Sequence, residues 1–233
     1  MIAHSLASTL HKKFILEPVV SQRGQFLGFE LLTRYRSDAG KARNPWLVIE
    51  NMRVNEKREL LVEQLDALLP SLSLLEHQQV FVSINIDRDM VDILNNDQLL
   101  CAALSHTHVI RLEVSENIDF LHDREARQKL DQLRAAGVRF FLDDLGTGYA
   151  NLEALYTGLF EAVKIDKRFF WEQKGKPIFP VLMKNIARFC PLIIVEGVEN
   201  EADLVALADV PLYGLQGYHY AALDIDELPE RLG

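Results

Sequence analysis

What most restricts this chain is an alternation. Short apolar runs of strand length are followed, again and again, by longer stretches of helical period. "QVFVSINI" precedes "RDMVDILNN", and "VIRLEVSE" precedes "EARQKLDQLRAAG", whose glycine stands where a helix stops. "VRFFLDD" precedes a helix from about Asn151, "AVKID" precedes "FPVLMKNIARF", and "LIIVEGV" precedes "EADLVALAD". "YGLQGYHY" and a short C-terminal helix complete the series. Such alternation dictates parallel strands joined by crossover helices. The opening differs: "FILEPVV" and "LGFELLTRY" flank the turn "SQRGQ" as an antiparallel hairpin, and the amphipathic "RELLVEQLDALLPSL" follows. Roughly eight strands in 233 residues predict an α/β fold, a modified (β/α)8 TIM-like barrel with an irregular, antiparallel first strand. An open doubly wound sheet is the structural alternative.

No Gly/Ser-rich or Pro-rich linker, repeat or low-complexity tract interrupts residues 1–233, so a single domain is expected. The formal net charge of -9, with acids spread along the chain, disfavours direct nucleic-acid binding and an anionic membrane surface. A phosphate-bearing ligand would need a local positive site of Lys, Arg or metal ions. Cys101 and Cys190 lie outside any CxxC spacing, which argues against a zinc site or a disulfide scaffold. "MIAHSLASTLHKKF" lacks the apolar core of a secretory signal, and no apolar run has membrane-spanning length. A soluble, cytoplasmic chain with no membrane contact is the expectation.

Polar residues recur where the expected strands end. Glu30 lies in "FELL", Asn85 in "SIN", Glu113 in "LEVSE", Asp143 and Asp144 in "LDD", Lys164 in "VKID", Glu196 in "VEGVE" and Gln216 in "LQG". In a barrel of parallel strands the C-terminal rim gathers such side chains into one site. Any one of them alone is an ordinary loop start; the repetition is the signal. Five carboxylates with one lysine would take up protons or unfold unless divalent cations neutralised them. Carboxylates and an Asn carbonyl suit hard ions, Mg²⁺ or Mn²⁺. Adjacent aspartates can serve two ions about 3.5–4 Å apart, an arrangement used to cleave phosphodiesters. The glycines of "GTG" let the chain turn just beyond them.

These motifs resemble the EAL-domain cyclic di-GMP phosphodiesterases. The signature stands here as Glu30-Leu31-Leu32, continued by Thr33-Arg34; "DDLGTGY" is similar to "DDFGTGY", "VKID" to "LKID", "VEGVE" to "AEGVE", and "LQGY" to the closing "QGY". The resemblance runs in order from "LEPVV" to "QGYHY". It implies that Glu30, Asn85, Glu113 and Asp143 hold one of two Mg²⁺ or Mn²⁺ ions. Asp143 would bridge to the second, with Asp144 and Glu196 beside it. Lys164 would position the attacking water, Glu196 act as base or second-metal ligand, and Gln216 bond near the metal-bound water. Arg34 would contact a substrate phosphate, Asp166 orient Lys164 or contact a base, and Glu116 brace the loop after Asp144. The departures are Leu31 for alanine, Leu145 for phenylalanine, Val195 for alanine, Glu17 for the glutamine beside Pro18, and a missing proline after "QGY".

The function so implied is metal-dependent hydrolysis of cyclic di-GMP to linear pGpG, with consequences for biofilm, fimbriae or motility. The rival is a catalytically silent EAL domain that senses the nucleotide or binds an unidentified regulatory protein; hydrolysis of another phosphodiester is a third reading. A homodimer is expected. The scattered histidines show no ligand spacing; His106 and His108 read as loop residues rather than a metal pair, and Trp46 and Trp171 as packing or interface residues.

Overall fold

The N-terminal hairpin carries the one reversal of direction in the barrel wall. β1 (Leu10–Val20) and β2 (Phe26–Ser37) pair antiparallel from Leu10↔Ser37 to Val20↔Phe26, with an irregularity at Val19/Val20. Gly24, at φ +78, lets the intervening turn close, its N–H donating to the Ser21 carbonyl. The computed structural model describes residues 10–115, 118–146 and 152–233.

After β3 (Ala42–Arg43) come α1 (Pro45–Glu50), α2 (Val54–Leu68), α3 (Leu72–Gln78) and β4 (Phe81–Ile86). α4 (Arg88–Asn96) and α5 (Gln98–His106) lead to β5 (Ile110–Val114), and α6 (Arg124–Ala135) leads to β6 (Phe140–Leu145). α7 (Leu152–Tyr156) precedes β7 (Phe160–Ile165); α8 (Lys167–Gln173) and α9 (Ile178–Ile186) precede β8 (Leu192–Val195). α10 (Glu201–Leu207), β9 (Gly214–Leu215), β10 (Leu223–Asp224) and α11 (Leu228–Leu232) follow. Short acceptor side chains set many of the helix starts. Asp87, Asp97, Asp123, Asp166 and Asn200 each accept backbone N–H groups from the turn they open.

The sheet runs β1-β9-β8-β7-β6-β5-β4-β2 and closes on itself through β1–β2, while β10 and β3 extend its ends. β1 is antiparallel to both β2 and β9; the remaining neighbours around the ring are parallel. The expected barrel with an antiparallel first strand is therefore the fold, and the open sheet is excluded.

The strand period of two divides the core into two populations. Val82, Ile84, Leu112, Leu142, Val163, Ile165 and Ile193 belong to the large core shared with the surrounding helices. Their alternates Phe81, Phe141, Ala162 and Ile194 meet Val19 in a separate cluster that plugs the barrel. Phe81 and Phe141 pack edge-on, with centroids 5.1 Å apart. Gly28 makes room for them, since a Cβ there would stand 2.4 Å from the Phe81 ring. Among the described residues no helix is long and apolar enough to cross a membrane.

Candidate functional site

One inward step above this plug, the strands turn polar. Glu30 is two residues beyond Gly28, Asp143 beyond Phe141, Lys164 beyond Ala162, Glu196 beyond Ile194 and Gln216 beyond Gly214. Asn85 and Glu113 take the equivalent places on β4 and β5, where they are register partners. Glu17 stands across from Glu30 on the reversed strand β1. The same alternation that buries the plug thus aims these side chains at one point.

Lys164 is the centre of the group. Its Nζ lies 2.7 Å from Glu196, 2.9 Å from Glu30, 2.9 Å from Glu113 and 3.4 Å from Asp143, and its side chain is 1% exposed. Glu30 is bonded at both oxygens. Oε1 accepts from Asn85 Nδ2 at 2.6 Å, and Oε2 accepts from Gln216 Nε2 at 2.6 Å and from Lys164. Asp143 Oδ1 is buried and accepts no well-formed hydrogen bond.

Electrostatics follow from who is bonded to whom. Burial opposes the Lys164 charge, but the surrounding carboxylates outweigh it and raise its pKa well above the ordinary value. Burial also works to protonate Glu30, yet Lys164, Gln216 and Asn85 together hold it below the ordinary carboxylate range. Glu113 touches the same ammonium but not those two amides, and burial beside Glu30 pushes it well up. Burial pushes Glu196 up to about 8 against the pull of Lys164, and Asp143 rises for the same reason. One ammonium is too little positive charge for four buried carboxylates, so the centre takes a further proton or a cation.

Asp143, Asp144 and Glu196 present carboxylate oxygens within 4.8 Å of one another. Asp144 is held at φ +55, a left-handed conformation that aspartate tolerates better than bulkier residues. An all-oxygen donor set, with the buried Asp143 Oδ1 held only by a 3.4 Å ion pair to Lys164, fits a hard divalent ion such as Mg²⁺ or Mn²⁺. The rest of the expected metal set is arranged otherwise. Glu30 and Glu113 receive Lys164, and Asn85 turns its amide nitrogen to Glu30.

Two further expected residues have local partners. β7 ends at Ile165, and the Asp166 carboxylate caps α8, accepting from Phe169 N at 2.9 Å. Arg34 Nη2 donates to Glu17 Oε1 at 2.9 Å, with the side chain 40% exposed. Glu116 lies outside the described residues. Glu17 was legible only as a departure from the family pattern, although counting back along the hairpin from "SQRGQ" places it opposite Glu30.

The loop beyond β8 has supports that sequence reading did not find. Trp171 Nε1 donates to the Gly197 carbonyl at 2.8 Å, which makes this tryptophan a clamp rather than mere packing. Asp203, 1% exposed, accepts from Glu199 N at 2.9 Å and pairs with Lys174. On the opposite side of the rim, Lys57 is buried 2.6 Å from both Asp87 and Asp89, tying α2 to the start of α4.

With this geometry in view, the likenesses to known proteins take on weight. The anti-FlhC(2)FlhD(4) factor YdiV of Salmonella paratyphi B is 24% identical over 233 residues, covering 98% of both chains. The crystal structure of the EAL-like domain protein YdiV superposes with a TM-score of 0.85 at 23% identity, covering 97% of this chain and 98% of that one. The PaMucR phosphodiesterase in complex with c-di-GMP gives 0.69 at 23% identity, covering 95% of each chain. Both structural likenesses speak to the fold alone.

The relative overturns the expected hydrolysis of cyclic di-GMP: a protein that matches along nearly its whole length is named for opposing a protein complex, not for cleaving a phosphodiester. A family model described as EAL domain matches residues 5–222, and the chain belongs to that family.

Proposed function

We propose that this chain is a regulator that works by binding a protein complex, with FlhC(2)FlhD(4) as the kind of target. The observation that carries the reading is the full-length likeness to a factor named for that antagonism. The rim geometry is in keeping with it. An ammonium bonded to Glu30, Glu113 and Glu196 braces the barrel mouth as a rigid scaffold. In the same reading Asp143, Asp144 and Glu196 hold one divalent cation, which when bound supplies the positive charge the cluster lacks. Its contribution is to stability.

The test is direct association. The purified protein is mixed with purified FlhC(2)FlhD(4) and passed over a sizing column with light scattering. Co-elution at a mass above that of either component is the expected result. Two separate peaks at micromolar concentration would sink the proposal.

A further inference from the structure

α9 carries apolar side chains on both of its faces. Phe179, Met183 and Ile186 are buried against the barrel core. On the other side Ile178 and Val181 are 58% and 51% exposed. The chain keeps coiling past the helix end, Phe189 N donating to the Ile186 carbonyl at 2.9 Å, so Phe189 falls on the Ile178 side. Phe189 is 46% exposed and meets Tyr156 of α7, 66% exposed, with ring centroids 4.4 Å apart. An ordinary barrel helix is different. α6 buries Ala126, Leu130 and Leu133 and turns Arg124, Glu125, Gln128 and Asp131 to solvent. A helix that is apolar on both faces belongs in an interior or an interface.

The charge around this strip is as unusual. Residues 173–195 contain no aspartate or glutamate, the longest such run in a chain of formal net charge -9, yet they hold Lys174, Lys176, Lys184 and Arg188. Lys174 is taken by Asp203, and Lys176 donates to the neutral Gln173 Oε1 at 3.4 Å. Lys184 and Arg188, four positions apart and both exposed, have no ion-pair partner among the described residues.

This combination selects the occupant. A second copy of the chain, placed on a two-fold axis centred on the strip, would bring Lys184 and Arg188 against their own equivalents, and like charges oppose that contact. An anionic membrane would draw the same cations, but the negative excess of the molecule repels it. A protein surface with carboxylates around exposed apolar side chains satisfies the strip and the cations together.

We propose that the outer face of α9, with Tyr156, is the docking surface for the regulated protein complex, and that the partner meets it with an apolar patch edged by Asp and Glu. This rests on the regulatory reading above and adds where the partner sits. None of these residues lines a cavity of the acidic rim.

The test is biolayer interferometry on immobilised, purified FlhC(2)FlhD(4). The wild type is compared with Ile178→Asp/Val181→Asp and Lys184→Glu/Arg188→Glu, each checked by thermal melting. Leu99→Asp and Val205→Asp, at exposed apolar positions on α5 and α10, are the controls. Both α9 pairs should weaken binding at least about tenfold, and the charge reversal should act mainly through a slower, less salt-dependent on-rate. The controls should bind as the wild type does. Wild-type affinity in either α9 pair overturns the proposal and leaves the regulatory reading standing. Equal losses in the controls overturn it as well. No association by the wild type sinks the regulatory reading, and the docking surface with it. Sedimentation of the wild type with phosphatidylglycerol vesicles, lost in Lys184→Glu/Arg188→Glu, would assign the face to a membrane instead and overturn the proposal.

Discussion

Asp203 is a small residue with a large structural duty. Burial works against its charge, but Lys174 and the Glu199 N–H outweigh it and hold the carboxyl below its ordinary range. The unfolded chain therefore binds this proton more readily than the folded one. The stabilisation is complete above the unfolded pKa of about 3.9 and is lost as pH falls through the lower folded value. Asp203→Asn should flatten the acid limb of stability, measured as urea midpoints at successive pH values below about 4. Parallel curves for the two proteins would refute it. Lys164 is the converse case, a cation whose loss strands several acids. Lys164→Met is expected to cost about 3–5 kcal/mol in urea unfolding, since it leaves buried carboxylates without their counter-charge. A cost near zero would mean that the carboxylates protonate freely and that the ammonium is not what holds the mouth together.

At the scale of elements, the plug and the polar ring are one pattern read at two heights. Gly28 is the position where the pattern has no slack. Gly28→Ala places a methyl group against the Phe81 ring and should destabilise by about 1–3 kcal/mol. Phe81→Leu in the same chain should recover part of that loss in thermal melts. Additive losses in the double variant would disprove the contact. This regularity is why so much was legible. Once "FFLDD" and "AVKI" were recognised as inward-outward strands, Asp143 and Lys164 had to point the same way as Phe141 and Ala162. "RDMVDILNN" was read as a helix and is α4 to the residue. What escaped was irregular or non-local. α1, α5 and α8 are short and have no turn of strong periodicity, and they begin at Asn44, Asp97 and Asp166, which read equally well as loop residues. Asp166 looked like a strand residue because period two carries past Ile165, but its short acceptor side chain competes as a helix cap and wins. The Arg34–Glu17 pair depends on a guanidinium laid back across four residues, and no spacing rule encodes that. The hydrolytic expectation failed for another reason: a relative that matches along nearly its whole length is named for opposing a protein complex, and the residue types at the rim do not encode that.

For the whole molecule, the acidic trio proposed as a cation site is tested through folding stability. If Asp143, Asp144 and Glu196 hold a divalent ion, Mg²⁺ at a hundredfold excess over its dissociation constant adds about 2.7 kcal/mol, or roughly 5–10 °C in melting temperature. Asp143→Asn should abolish the increment, and a wild-type melting curve indifferent to both Mg²⁺ and chelator would show that the trio holds none. The reversed first strand has a consequence of another kind. β1 is flanked by β2 on one side and, through Val20↔Leu215, by β9 on the other. During synthesis the hairpin can form early, but one flank of it waits for a partner nearly the whole chain away. Until that partner emerges, β1 and β8 each present an open row of amides and carbonyls. Ring closure is thus a late, high-contact-order event, and until it is complete the nascent chain carries two unpaired strand edges of the kind that favour aggregation.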